Sequence, residues 1–200
     1  MPRAFQRRLA LIALPALALA LGGCLSLGGK VPDSLLTLRS DRAPAANATQ
    51  SGRVEAALTV LVPNTPQKLR TNRIPVQSDA TNIAYVQDAQ WVEPPARLFQ
   101  RLLSETIAAG GTRLVLDESQ YITGPGELLS GELLEFGVDA PRGEVVIVYQ
   151  AMRLTGDGAS VAQRRFEARE PVSPIEAGPV GAALNRAANR VAADVAAWIG

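Results

Sequence analysis

The sequence predicts an α/β (α+β) domain: a mixed, largely antiparallel sheet flanked by two helices. Three observations lead there. Leu128 to Val138, Glu144 to Leu154 and Val161 to Arg169 read as long strands, separated by Pro141-Arg142-Gly143 and Gly156-Asp157-Gly158 where a meander needs its turns. Two other stretches repeat their apolar residues every three or four positions, as a helix with one buried face does. Shorter strand-like runs precede and separate these, so a sheet covered by helices accounts for every element.

In chain order, Ser34 to Ser40 reads as a strand by Leu35, Leu36 and Leu38, and Val54 to Val62 as a longer one. Between them Asp41 to Arg53, rich in Ala, Pro and Asn, carries no apolar period and reads as an exposed loop. Pro63 and Pro66 end the second strand because neither can donate to a ladder. Asn72 to Gln77 and Asn82 to Gln87 follow as short strands joined by Ser78, Asp79 and Ala80.

Pro94-Pro95 opens the first helix and Gly110-Gly111 closes it after about Ala109. Leu98, Phe99, Leu102, Leu103, Thr106 and Ile107 share one side of it, and Arg97, Gln100, Arg101, Ser104 and Glu105 the other. Arg113 to Asp117 is a strand that leads into the meander. Val145 to Tyr149 is apolar at successive positions, which predicts a central strand covered on both faces. The last helix runs from near Pro179 to about Ile199, with Val180, Leu184, Ala187, Val191, Val195 and Trp198 toward the sheet and Asn185, Arg186, Asn189, Arg190 and Asp194 on the opposite side.

Composition narrows the function. The 200 residues are 47% hydrophobic and 20% charged, ordinary for a globular chain, and include no histidine and one cysteine. That excludes serine-histidine and cysteine-histidine nucleophile systems, the usual nitrogen and sulfur zinc sites, and an intrachain disulfide. No catalytic residue, metal ligand or cofactor site is therefore expected. Outside the first 23 residues the chain holds 17 basic and 19 acidic residues, a balance that argues against nucleic acid as a partner.

Those first 23 residues have the plan of a secretory signal: Arg3, Arg7 and Arg8, then the uncharged run Leu9 to Leu21, then Gly22-Gly23. The run has 13 residues, short of the roughly 20 that a spanning helix needs. The Arg7-Arg8 pair fits a twin-arginine signal poorly, so general secretion ranks ahead. Leu21-Gly22-Gly23-Cys24 resembles the lipobox of bacterial lipoproteins, in which the cysteine thiol receives a diacylglyceryl group and becomes the first residue. Residues 1–23 are read as the signal, Cys24 as the lipidation point, 24–33 as a tether and 34–200 as the folded domain. Nine tether residues reach at most about 30 Å. Leu25, not Asp, follows the cysteine, which by the sorting rule of enteric bacteria favours the outer over the inner membrane.

A family resemblance joins these pieces. Asn72-Arg73-Ile74-Pro75-Val76, Ile83-Ala84-Tyr85 and Trp91-Val92-Glu93-Pro94-Pro95, with Leu36-Thr37-Leu38, Phe166-Glu167-Ala168 and the terminal Trp198, occur in the order seen in the ABC-type transport auxiliary lipoproteins, the PqiC/YmbA-like family, which the chain resembles from Ser34 to Gly200. Leu36, where the family often has an aromatic residue, and Pro75 within its strand depart from the pattern. The resemblance implies a fold similar to the amino-terminal domain of TolB, a periplasmic lipid-anchored position, and a noncatalytic role beside an ABC permease, its ATPase and an MCE-domain protein that move lipid between membranes. It also implies a ring of subunits.

Several residues admit two readings. Tyr85 and Trp91 form a partner-docking patch or wedge the helix start against the sheet, and Trp198 packs in the core or anchors at a membrane interface. Asp117-Glu118 and the pair Glu132 and Glu135 would suit general acid and base chemistry only if they shared a face, and strand alternation separates both pairs. Gly156-Asp157-Gly158 lacks the further carboxylates of a calcium loop. Arg164, Arg165 and Arg169, interrupted by Glu167 and Glu170, read as a solvated strand face rather than a basic headgroup site. Two functions remain: an adaptor acting by tethering and contact, or a periplasmic carrier holding an acyl chain between sheet and helix, which needs a dry cavity.

Overall fold

The meander supplies the frame. The computed structural model describes residues 33–111, 113–120, 126–156 and 158–200; the signal segment, Cys24 and the tether through Pro32 lie outside them. The strands are β1 (Leu58–Val60), β2 (Arg73–Gln77), β3 (Ile83–Gln90), β4 (Val115–Asp117), β5 (Glu127–Asp139), β6 (Glu144–Leu154) and β7 (Val161–Pro171), and the helices are α1 (Pro95–Ala108) and α2 (Ala177–Ile199). Strands β5, β6 and β7 pair antiparallel over most of their length. A short 3-10 turn, Ala140–Arg142, and Gly143 at φ 64 connect β5 to β6, a backbone conformation that glycine adopts without a Cβ penalty.

The other edge of β5 is shared. At its start β1 pairs parallel with Glu127 to Leu129, and at its end β2 pairs parallel with Val138 and Asp139. Strand β4 lies parallel beyond β1, and β3 antiparallel beyond β2. The result is a seven-stranded mixed sheet whose long pairings are antiparallel, in agreement with the predicted fold class.

Both helices cover one face. The six α1 residues assigned to its inner side are all buried, as are Val180, Leu184, Ala187, Val191 and Val195 of α2. Val145 to Tyr149 on β6 is buried at every position between β5 and β7. At the sheet's centre Phe99 meets Tyr149 edge-on at 5.2 Å and Phe136 at 6.4 Å, and Trp91 meets Phe136 at 5.6 Å, distances typical of favourable aromatic contacts. Trp198 lies half-buried with its ring 5.7 Å from that of Phe166.

Four sequence expectations need correction. Val54 to Val62 is not one strand: 54–56 form a 3-10 turn and only 58–60 pair, because β1 is a short filler between β4 and β5. Ser34 to Ser40 makes a single parallel bridge, Leu36 to Trp91, and then leaves the sheet. Strand β3 runs on to Gln90: Pro75 lacks a ladder N–H, and opposite Ile74 residues 86–89 bulge out, with Asp88 at φ 51. A bulge in β5 between Leu133 and Glu135 shifts the alternation by one, so Glu132 and Glu135 emerge on the same, helix-free face.

Candidate functional site

Residues 33–53 lie against the helices without regular structure, and the first part of this segment is a strap held by side chains. Leu36 N–H donates to the Gln90 carbonyl (2.8 Å) and Val92 N–H to the Leu36 carbonyl (2.9 Å). Further on, Arg39 N–H donates to Asn185 Oδ1 and Asp41 N–H to Asn189 Oδ1, both at 2.8 Å, while Asn189 Nδ2 donates to the Arg39 carbonyl at 2.8 Å. The Asn189 amide therefore does for the strap what a neighbouring strand would do. It is only 9% exposed, so its sequence assignment to the solvent side of α2 was an artefact of polarity. Ser40 Oγ lies 3.2 Å from Thr106 Oγ1 of α1, which ties the strap to both helices. Leu36 fits over Gly181, where an added Cβ would lie 2.8 Å from Leu36 Cδ2.

Tyr85 and Trp91 are not brought together in one patch. Trp91 is 1% exposed, immediately before α1, with its ring on Phe136, the position of a wedge. Its Nε1 has no hydrogen-bond partner among the described residues. Tyr85 is half-buried, with the Arg73 guanidinium 4.0 Å over its ring. Cys24 lies outside the described residues.

The helix-free face of the sheet is charged and internally paired. A hollow of about 310 Å³ has Pro75, Gly137, Val146 and Val148 beneath a rim of ions. Lys68 Nζ donates to both Glu135 oxygens, at 2.6 and 2.5 Å. Arg169 donates to Glu167 at 2.8 Å and to Asp139 at 3.2 Å and lies 3.6 Å from Glu144; the hydrogen bonds, led by that to Glu167, raise its affinity for the proton. Arg165 is 4.0 Å from Glu167 and Arg164 lies 5.2 Å over Phe166. Each arginine of the suspected basic edge thus has a local partner. Beside it, a second hollow of about 570 Å³ is lined by Asn64, Glu118, Glu132, Gln150, Met152 and Gln163.

Besides Arg169, three groups titrate away from their ordinary values for structural reasons. Burial pushes Glu127 upward, but hydrogen bonds from Arg153 (2.9 Å to each oxygen) and Arg113 (2.5 Å) outweigh it and hold the carboxyl low. Arg153 also donates to the Ile199 carbonyl at 3.2 Å, placing a cation at the C-terminal end of α2. Asp79 is held down to about 2 by the Asn82 side chain and by Thr81 and Asn82 backbone N–H groups, the caps of the β2–β3 turn. Burial raises the Tyr149 phenol, which donates to the Ser130 carbonyl at 2.7 Å. All three are structural ties. Among the described residues no group of three His, Cys, Asp or Glu could hold a metal ion, and no helix is long and apolar enough to cross a membrane.

Sequence reasoning missed Asn189, Asn185 and Lys68. Lys68, in a 3-10 turn that buries Leu69, carried no periodic signal. The amides are indistinguishable in sequence from solvent-facing helix residues, and only their i, i+4 spacing on one side of α2 hinted at a shared role.

A family model described as "ABC-type transport auxiliary lipoprotein component" matches residues 36–196. The chain is similar to the solved structure of protein XCC0632 from Xanthomonas campestris, assigned to DUF330, with a TM-score of 0.67 and 20% identity over 83% of this chain and 93% of that one. It is also similar to the structure of an uncharacterized protein, with a TM-score of 0.63 and 17% identity over 76% of this chain and 97% of that one. At those identities the likeness is one of fold. No curated protein matches the chain.

Proposed function

The chain belongs to the ABC-type transport auxiliary lipoprotein family, and from that premise we propose that it is a noncatalytic adaptor, anchored through acylated Cys24, for an intermembrane lipid-transport system. Its partners in this reading are an ABC permease, its ATPase and an MCE-domain protein. The anchor lies in the outer membrane facing the periplasm, and several copies assemble together. Cys24 is the chain's only cysteine, so a lipoprotein built on this sequence has one thiol to acylate.

The observation that carries the adaptor over the acyl-chain carrier is the filling of the space between sheet and helices. Phe99, Phe136, Tyr149 and Trp91 interlock there, each buried. An acyl chain in that layer would have to displace close-packed rings, whose loss costs several kcal/mol, about 3–5 for one Phe. The helix-free face, by contrast, offers open hollows with charged and amide rims, suited to a protein surface. Pull-down from detergent-solubilised host membranes, native chain against Cys24→Ala, tests the reading. Recovery of an MCE-domain protein and permease without stoichiometric lipid supports it, whereas about one lipid per chain and no transporter replaces it with the carrier.

A further inference from the structure

The strap sets the edge of the domain from which the tether leaves. Leu36 bridges Trp91 in parallel, and as the strap advances from Leu36 to Arg39 to Asp41 its partners on α2 advance from Gly181 to Asn185 to Asn189. The strap therefore runs in the direction of β3 and α2. Asp33, where the tether joins, is three residues before the Leu36–Trp91 bridge, which lies just past the end of β3 and against the first turns of α2. Strand β3 forms one edge of the sheet and β7 the opposite one.

The β3 edge exposes apolar side chains. Leu36 and Trp91 turn inward, and alternation sends their neighbours Leu35 and Val92 outward on the same side, where they are 46% and 51% exposed. Ile83 at the start of β3 is exposed as well. Between Cys24 and Asp33 there are eight residues, which reach at most about 30 Å even when fully extended. Within that reach a bilayer holding the acyl chains can lie against this edge.

We propose that the β3 edge around Leu35 and Val92 rests on the lipid surface in which Cys24 is anchored. This deepens the lipoprotein reading and depends on it. The orientation turns the β7 edge away from the lipid, toward protein partners.

Acylation of Cys24 leaves the mature chain without a free thiol, so a single introduced cysteine can carry an environment-sensitive fluorophore. Leu35→Cys, Val92→Cys and, on the far edge, Val161→Cys all replace exposed side chains. The full lipidated proteins are reconstituted in phosphatidylcholine vesicles containing a doxyl-labelled lipid quencher, and the mass of the N-terminal peptide reports Cys24 acylation. Blue-shifted, quenched emission at positions 35 and 92 with unquenched emission at 161 is the expected result. Acylated protein whose labels at 35 and 92 stay as wet as that at 161, or which is quenched only at 161, overturns the orientation while leaving the lipoprotein reading intact. An unacylated Cys24 overturns both.

Discussion

Pro75 of β2 and Gly137 of β5 touch so closely that neither position is independent. A Cβ on Gly137 would stand 2.4 Å from the Pro75 carbonyl oxygen and 2.9 Å from its Cγ. Proline in a strand gives up a ladder hydrogen bond; here its ring and carbonyl fill the place of a side chain on the facing strand. Substituting Gly137→Ala should therefore destabilise the domain by about 1–3 kcal/mol, since the obstacle is backbone and cannot rotate away. Denaturant melts of the two proteins measure the difference, and an unchanged midpoint would mean that β2 can slide off β5 freely.

The strap makes a more local prediction. Asn189→Ala removes an acceptor for the Asp41 N–H and a donor to the Arg39 carbonyl. Both backbone groups belong to exposed residues, so water replaces the amide and the global cost stays near 1 kcal/mol, that is about the net worth of one hydrogen bond. Hydrogen exchange should instead show the amides of Arg39 and Asp41 losing protection while those of β5 and β6 keep theirs. Asn189→Asp retains the acceptor and should protect the Asp41 amide better than the alanine variant does.

These two features also mark what the sequence could and could not disclose. The helices were legible because Pro95 and Gly110 punctuate α1 and because the inward stripe of α2 repeats at helical spacing; α2 begins at Ala177, placing Pro179 in its first turn. The meander was legible because its pairings are between consecutive strands joined by turn formers. What failed were elements whose partners are distant in sequence. Ser34 to Ser40 looks like a strand by residue type, yet its one bridge is at Leu36, and the Arg39 and Asp41 backbone beyond is held by the Asn185 and Asn189 side chains some 150 positions away. Glu132 and Glu135 looked split between faces because the bulge beside Leu133 is a property of the β5 and β6 register, not of either residue. Tyr85 and Trp91 are near in sequence, but Trp91 is buried just before α1 while Tyr85 is half-buried, a difference that residue type alone does not disclose.

Glu127 gives the pH dependence. Its folded carboxyl binds protons less well than the ordinary value of 4.5 because Arg153 and Arg113 stabilise the charged form. A group whose folded pKa is depressed contributes stability above its unfolded pKa and loses that contribution as pH falls through the folded value. The native chain should therefore exceed Glu127→Gln in stability at neutral pH, and the gap should close as pH drops below about 4.5. Denaturation midpoints of the two chains between pH 7 and 3 provide the check; a gap that widens on acidification would mean that burial, not the two arginines, governs this carboxyl.

The last prediction separates folding at Trp91 from docking at Tyr85, which stands opposite Pro75 on the helix-free face. Trp91 is wedged against Phe136 and fully buried, so Trp91→Ala should cost about 3–5 kcal/mol, as large aromatic truncations in a core do. Tyr85→Ala removes a surface ring and its Arg73 contact, and should cost no more than about 1 kcal/mol. If Tyr85 is part of the adaptor's contact with its transporter, the alanine variant will melt like the native protein yet recover less MCE-domain protein in a pull-down. Undiminished recovery removes Tyr85 from the docking surface and shifts attention to the charged hollow at Lys68 and Glu135, where Lys68→Ala in the same pull-down is the next variant to measure.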